Sequence, residues 1–566
     1  MSEKKTGFPS IDKPWLKYYS QEAIQVNLPE CTMYDLVYEY NKNHLDENAI
    51  EYYGKRYTYR EVLANADKVA SAFQNYGVME NEIVVGCLLT IPETIYSVYG
   101  LNKAGITIDM IDPRNSIETI RDTIIGDHAR VIITLDALVP RMLEAIGKEH
   151  ISIISIPVTN SMPLLTKVIA KMSIKTPKVV DERVMDWNEF VKKFDDGNVR
   201  AFKYKMDHCC LIEHTGGTTG MPKSVMLSDY NLNSIASQAK YAPVNLKRGD
   251  SLMNVMPPFI AYGMTLGIHM PLCCGWTTVL IPKFEESKFA DLILKHKPNC
   301  TMGAPASYQT LMMSEKLNNK DLSFLKIALV GGDKIITDFE IEINKFFEKH
   351  NCHIKLTKGY SMTEASSSAT ITYEDCNKIG SCGVPLPHIT IAAFEENTEN
   401  ELAYGEIGQL RMNTPSMMLG YKNNEAETEK ICITDSNGKT WIHTGDLGYV
   451  DDDGCIFIVG REKRIIIRPD GFKLFPALIE NVVEQVPFVR ESCCIGQRDE
   501  SYLQGMKAVV FVTLKEPMDT TVAENIIREQ CENGLPEYEQ PEKIVIIDKM
   551  PLTSIGKIDY RKLEEM

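Results

Sequence analysis

Lys326-Ile-Ala-Leu-Val330, followed by Gly331-Gly332-Asp333, is the stretch that decides the fold. Four apolar residues in a row, without polar alternation, predict a strand buried on both faces. The glycines then turn the chain at its carboxyl end. Downstream, Ile354-Lys-Leu-Thr357 predicts a second strand, running into Gly359-Tyr360-Ser361. Working outward, short apolar runs alternate with helical patterns through most of the sequence, as in open parallel sheets flanked by helices. The expected fold class is α/β, with a large N-terminal body of open sheets and helices. Ligands of such sheets gather outside the carboxyl ends of strands, so both turns are candidate site walls.

The pattern changes after residue 455. Cys455–Val459 and Arg464–Arg468 read as short strands separated by Gly460-Arg461-Glu462-Lys463, and Pro469-Asp470-Gly471 turns the chain. From Pro476 a helix is predicted, with Leu478, Ile479, Val482, Val483 and Val486 on one face, and Met506–Leu514 adds a strand. This is a small α+β module. The expected domains are 1–460 and 461–566.

Sixty-one basic residues against 77 acidic give a net charge of -16, the wrong sign for a general nucleic-acid binder. Any anionic ligand must be met by a local positive cluster. Fifteen cysteines without a CxxC spacing give neither a disulfide framework nor a zinc site. The opening MSEKKTGFPS has no apolar core, so no secretory leader is expected and a reduced cytoplasm is the simplest setting. Met264–Pro282 is the most membrane-like run, but its histidine, prolines and glycines predict buried α/β core instead of a transmembrane segment. In 161–178, Leu164, Leu165, Val168, Ile169 and Met172 fall on one helical face, and Lys167, Lys171 and Lys175 recur on another. Such a helix either packs on the body, the reading adopted here, or makes peripheral contact with an anionic membrane.

His214-Thr-Gly-Gly-Thr-Thr-Gly-Met-Pro-Lys223 suits a polyphosphate. Glycines let the backbone approach closely, threonine hydroxyls reach phosphate oxygens or a metal, and lysine adds a point charge. It is not a Walker A loop, because Pro222 stands where that motif needs glycine. Alone, a Gly/Thr-rich turn is as readily a plain turn. Four more stretches accompany it: Lys358-Gly-Tyr-Ser-Met-Thr-Glu364, Trp441-Ile-His-Thr-Gly-Asp446, Gly460-Arg-Glu-Lys463 and Pro551-Leu-Thr-Ser-Ile-Gly-Lys557. Singly, Glu364 could be a capping acid, Asp446 a turn residue and Lys557 a solvated end.

In this order and spacing the five stretches closely resemble the adenylate-forming superfamily of acyl-CoA synthetases, adenylation domains and luciferases. Tyr57-Thr-Tyr-Arg-Glu61, Lys103–Pro113, Gly405–Arg411 and Met418-Leu-Gly-Tyr421 extend the resemblance over almost the whole chain. It implies that a carboxylate attacks the α-phosphorus of ATP, pyrophosphate leaves, and a thiol, usually that of CoA, displaces AMP from the acyl adenylate. Cofactors implied are ATP, Mg²⁺ and CoA. By the same resemblance, Thr215, Gly216, Gly217, Thr218, Thr219, Gly220 and Lys223 hold the β- and γ-phosphates, and Thr215 and Glu364 help hold Mg²⁺. Tyr360 stacks on adenine beside Gly331, Gly332 and Asp333, with Thr363 among the nucleotide contacts. Asp446, assisted by Arg461, holds the ribose. Lys557 reaches the α-phosphate and acyl oxygens. The C-terminal domain is mobile and rotates about Lys463, and Gly471 lines the thiol channel. Arg461, Lys463, Arg464, Arg468 and Lys473, against Glu462 and Asp470, offer a positive cluster for the CoA phosphates.

The sequence also departs from the family. Ser224 replaces the usual glycine after the loop lysine, Arg464 replaces the common acid after Lys463, and Pro469-Asp470-Gly471 is one residue longer than the usual Gly-Gly turn. Adenylation domains for amino acids carry aspartate where this chain has Ile260. Burying an ammonium there would leave it unpaired, so the expected acid is uncharged apart from its carboxylate and largely apolar, such as a medium- or long-chain fatty acid. Met253, Met256, Met264, Met302 and Met362 fall in segments bounding the family's acid pocket, as adaptable lining or as core filler. Two other readings stay open: a stand-alone adenylation enzyme loading a carrier protein, and a silent nucleotide- or acyl-binding sensor.

Overall fold

The computed structural model describes residues 5–173, 177, 179–215, 223–332, 335–468, 473–498, 506–552 and 558–566. Two open sheets form the body. In the first, Val184–Asp186, Ser152–Ile156, Val131–Leu135, Ile83–Cys87, Thr107–Met110 and Cys209–His214 run parallel in that order, and Ser224–Ser228 and Gly420–Tyr421 close the edge antiparallel. Neighbouring residues enter separate cores on its two faces: Val84 and Ile154 one, Val85 and Ile153 the other. That is the packing expected of unalternated apolar strands. The second sheet runs Thr357–Lys358, Ile327–Val330, Cys300–Gly303, Ser251–Asn254, Thr277–Leu280, Asn48–Tyr52 and Lys55–Thr58, parallel but for the last pair.

The fold-deciding strand is present as Ile327–Val330, but the second one is displaced. Pairing begins only at Thr357, although Leu356 is fully buried. The hydrophobic run marks burial correctly, whereas the ladder is set by the partner strand. Met264–Pro282 is buried core, comprising a π-wound turn Tyr262–His269, a helix Met270–Cys274 and the strand Thr277–Leu280. Among the described residues no helix is long and apolar enough to cross a membrane. The 161–178 helix forms as Leu164–Ser173, but the expectation that its apolar stripe packs on the body is wrong: Leu164 and Leu165 are 78% and 80% exposed. All fifteen cysteines are free thiols.

After an antiparallel sheet built around the long strand Thr440–Val450, the chain enters a smaller C-terminal domain. Its sheet pairs Val489–Arg498 antiparallel and Lys543–Ile546 parallel with Met506–Leu514. The helices Pro476–Val483 and Thr520–Gly534 close its core through Ile479, Val483, Ile527 and Cys531. The strand expected over 464–468 shrinks to Ile466–Ile467, because Arg464 turns inward to pair with buried Glu480.

Candidate active site

The strands Cys209–His214 and Ser224–Ser228 end together, with His214 opposite Ser224. Beyond that pair the Thr215 N–H donates to the Lys223 carbonyl at 3.0 Å, and the Lys223 N–H donates to Thr215 Oγ1 at 3.2 Å. Two bonds thus close the neck of the loop. Gly216, Gly217, Thr218, Thr219 and Gly220 lie outside the described residues. The Lys223 ammonium meets the Glu427 carboxylate at 2.6 Å and stands 4.7 Å above the centre of the Tyr421 ring. Hydrogen bonds from Lys223 and Lys430 hold the Glu427 carboxyl down at about 2. Tyr421 in turn donates its hydroxyl to Glu364 Oε1 at 2.6 Å.

Glu364 sits in a single 3₁₀ turn, Thr363–Ala365, whose exit is strained. Ser366 and Ser367 have φ of 57° and 109°, a region that side-chain-bearing residues adopt at a cost. The turn is pinned from outside: the Glu364 carbonyl accepts from the Met418 N–H at 2.9 Å, and Ser366 Oγ donates to the Ser416 carbonyl at 2.9 Å. Upstream, a Cβ on Gly359 would lie 2.6 Å from the Thr370 carbonyl oxygen, so only glycine fits before Tyr360. The Tyr360 ring is buried, and its hydroxyl donates to Asp446.

Asp446 and Arg461 are cross-strand partners, with Arg461 Nε 2.8 Å from Asp446 Oδ1. Burial raises the Asp446 carboxyl above its ordinary value, opposed by Arg461 and the Tyr360 hydroxyl, and the nearby Glu364 charge raises it further. Two sets of contacts therefore meet in the 360–364 segment: Lys223 and Tyr421 reach Glu364, and Asp446 with Arg461 reaches Tyr360.

On the second sheet, the Gly331 N–H donates to the Gly303 carbonyl at 3.2 Å, and the Tyr262 ring lies 3.5 Å from where a Gly331 side chain would begin. Gly332 takes a φ of 88°, and Asp333 lies outside the described residues. Ile260 is half-buried against the core that holds Phe259 and Met264. Met253, Met264 and Met302 are fully buried in three separate cores, so these three are filler; Met256 and Met362 are half-buried.

Lys463 falls in the 3₁₀ turn Glu462–Arg464, while Gly471 and Lys557 lie outside the described residues. The positive cluster expected over 461–473 needs correction. Arg461 is paired with Asp446, Arg464 with Glu480 and the Cys494 carbonyl, and Arg468 donates to the Tyr538 carbonyl at 2.7 Å. Glu480 also explains arginine at 464, since an acid there would face a buried acid.

Sequence reasoning missed Tyr262, Tyr421 and Glu427, and a buried set behind the loop. His214 Nε2 meets Asp109 Oδ1 at 2.6 Å, and Lys422 pairs with Asp127. Burial alone would lower the His214 imidazolium, but the Asp109 carboxylate overrides it and raises it. Burial, followed by Asp109, pushes the Asp127 carboxyl up to about 8. Asp109 was visible in principle as a charge inside an apolar strand.

Residues 37–422 match the AMP-binding enzyme family, and residues 478–557 match the AMP-binding enzyme C-terminal domain. The chain belongs to the AMP-binding enzyme family. Among curated relatives, it is 28% identical to a long-chain-fatty-acid–CoA ligase of Bacillus subtilis (strain 168), covering 98% of both chains. It is 26% identical to a probable 4-coumarate–CoA ligase 3 of Dictyostelium discoideum over 90% of each. Among solved structures, an anthranilate CoA ligase, AuaEII, in complex with anthranoyl-AMP superposes with a TM-score of 0.80 at 20% identity, over 96% of this chain and 98% of that one. That last likeness speaks to the fold alone.

Proposed function

We propose that this acyl-CoA ligase-family enzyme is an ATP-dependent, AMP-forming acid–thiol ligase acting on a hydrophobic carboxylic acid, a medium- or long-chain fatty acid foremost. In the first step a carboxylate oxygen bonds to the α-phosphorus while the bond to the pyrophosphate oxygen breaks. In the second, the CoA sulfur bonds to the acyl carbon, the bond to the AMP oxygen breaks, and the thiol proton passes to solvent. The observation that carries this reading is that the short 360–364 segment takes contacts from Lys223 and Tyr421 at Glu364 and from Asp446 and Arg461 at Tyr360, joining stretches far apart in sequence beside the neck of the 215–223 loop. In it the loop and Lys223 take the β- and γ-phosphates, Tyr360 and Thr363 border the adenine, and Asp446 with Arg461 takes the ribose hydroxyls. The Thr215 hydroxyl and Glu364 carboxylate are the hard oxygen donors that Mg²⁺ prefers, and the ion would neutralise charge on the phosphates. Preorganised charges of this kind act on the negative charge that builds at phosphorus.

Tyr262 against Gly331, with Ile260 nearby in sequence, supports an apolar acid pocket. The names of the relatives, fatty-acid and coumarate ligases, agree with an acid of this class. The test is ATP–pyrophosphate exchange across alkanoic, aryl and amino acids, followed by CoA-dependent AMP release. Exchange with apolar acids and release with CoA are expected. Exchange with no acid would favour the sensor, and release only with a holo-carrier protein would move the acceptor. Ile260→Asp is expected to lower kcat/KM for the preferred acid by about tenfold or more, by setting an unpaired carboxylate against apolar substrate. An unchanged acid profile would remove Ile260 from the pocket wall.

The tethering of the residues beside Lys463 supports a hinge there. Glu462 accepts from Gln409 Nε2 of the body at 2.7 Å, whereas Arg464 is tied to Glu480 and Cys494 of the C-terminal domain. The chain thus passes from one body to the other at Lys463, with a backbone torsion as the natural pivot. Lys463→Pro, which fixes φ, is expected to reduce thioester formation from supplied acyl adenylate about tenfold more than it reduces adenylation. Equal effects on both half-reactions would place the pivot elsewhere.

A further inference from the structure

We propose that the helix Leu164–Ser173 docks the protein on an anionic membrane surface, lying in the interface with its apolar face down. Leu164, Leu165, Val168 and Met172 are 78%, 80%, 52% and 74% exposed, and Val180 just beyond is fully exposed. Single exposed apolar residues are ordinary on soluble proteins, but a run of this length along one helix marks a binding surface. The body is met by smaller means: Ala170 packs on the core, buried Met162 anchors the root, and Lys167 donates to the Asn160 carbonyl at 3.4 Å. The helix therefore keeps its large side chains outward without being detached from the fold.

Charge selects the occupant. Residues 161–180 contain four lysines, Lys167, Lys171, Lys175 and Lys178, and no aspartate or glutamate, in a chain whose net charge is -16. At the root of the helix lies a groove of about 470 Å³ bordered by Lys55, Lys68 and Lys192, with Glu93 and Asp195 also on its wall. Leucine, valine and methionine on one face, with lysines as the only charges, is the composition of helices that sink into the headgroup boundary of acidic bilayers. An acidic, apolar-grooved protein would need the same face, and a second copy of this acidic chain offers poorer charge complementarity.

The test uses the full chain and large unilamellar vesicles of phosphatidylcholine, with or without phosphatidylglycerol, in cosedimentation at low and high salt. Binding about tenfold stronger to the anionic vesicles, weakened by salt, is expected. Leu164→Gln/Leu165→Gln/Val168→Gln/Met172→Gln should lower that binding about tenfold or more while melting at the same temperature, and Lys167→Gln/Lys171→Gln should erode the preference for anionic lipid. Leu165→Trp should show a blue-shifted emission only with anionic vesicles. Failure of the wild type to bind these vesicles, equal binding by the glutamine variant, or self-association that the glutamine variant abolishes without vesicle binding would each overturn the proposal. None of these readouts depends on catalysis, so they stand or fall apart from the ligase reading.

Discussion

Lys557→Ala is expected to lower adenylate formation about 10²–10³-fold and to leave thiolation of supplied acyl adenylate largely intact. On the role proposed for Lys557, the magnitude is that of losing one charged donor to developing negative charge, about 3–4 kcal/mol of transition-state stabilisation. The asymmetry follows from the chemistry: charge builds on phosphorus in the first step, whereas attack on the acyl carbon in the second needs no donor at the triphosphate. The match to the C-terminal domain extends to residue 557 itself. The described residues on either side of it lie close together. Leu552 bridges Ile558, and the Asp559 N–H donates to the Pro551 carbonyl at 2.8 Å, so the two ends are drawn together. Single-turnover assays of the two half-reactions check the prediction. Equal loss in both would reject Lys557 as the residue that serves the first step.

How much of this was legible from sequence depends on the range of the interaction concerned. Met506–Leu514 is a strand with the bounds read from its apolar run, and the Pro476 helix starts where proline sets its first turn. Both signals are local. The strand expected at 354–357 slipped to Thr357–Lys358 because hydrogen-bond register belongs to the pair, not to one strand. The basic run at 461–473 looked free in one dimension, yet its arginines find partners at Asp446, Glu480 and Tyr538, none of which its own charge pattern announces. The stripe at Leu164–Met172 failed in the opposite sense. Amphipathicity identifies a face that avoids water but does not say whether this chain or another phase covers it. In the site, Glu364 and Asp446 were readable as motif members, whereas Tyr421, the link between Lys223 and Glu364, was visible only as part of Met418–Tyr421.

On the proposed ribose role, Asp446→Ala is expected to lower kcat/KM for ATP about 10²–10⁴-fold, mainly through KM, since it would remove two charge-assisted bonds to the ribose at about 1.5–3 kcal/mol each. Unlike Lys557→Ala, it should weaken both half-reactions, because the ribose is carried through each of them. Alanine also takes the acceptor from the buried Tyr360 hydroxyl, while Arg461, 63% exposed at its side chain, can return to water. Asp446→Asn separates these effects: the amide oxygen still accepts from Tyr360, but the negative charge is gone. If the carboxylate serves the nucleotide, asparagine should retain stability and still lose most of the ATP affinity. If its role is only to hold Tyr360, asparagine should behave as wild type. The pH dependence has a definite sign. Burial raises the Asp446 carboxyl above its ordinary value, so protonation on acidification begins at a higher pH than for a solvated aspartate. Since the neutral acid accepts fewer hydrogen bonds, KM for ATP should rise as pH falls through that raised value, and this rise should be absent in Asp446→Asn. A KM for ATP that climbs equally in wild type and Asp446→Asn would assign the titration to another group and the ribose contact to another residue.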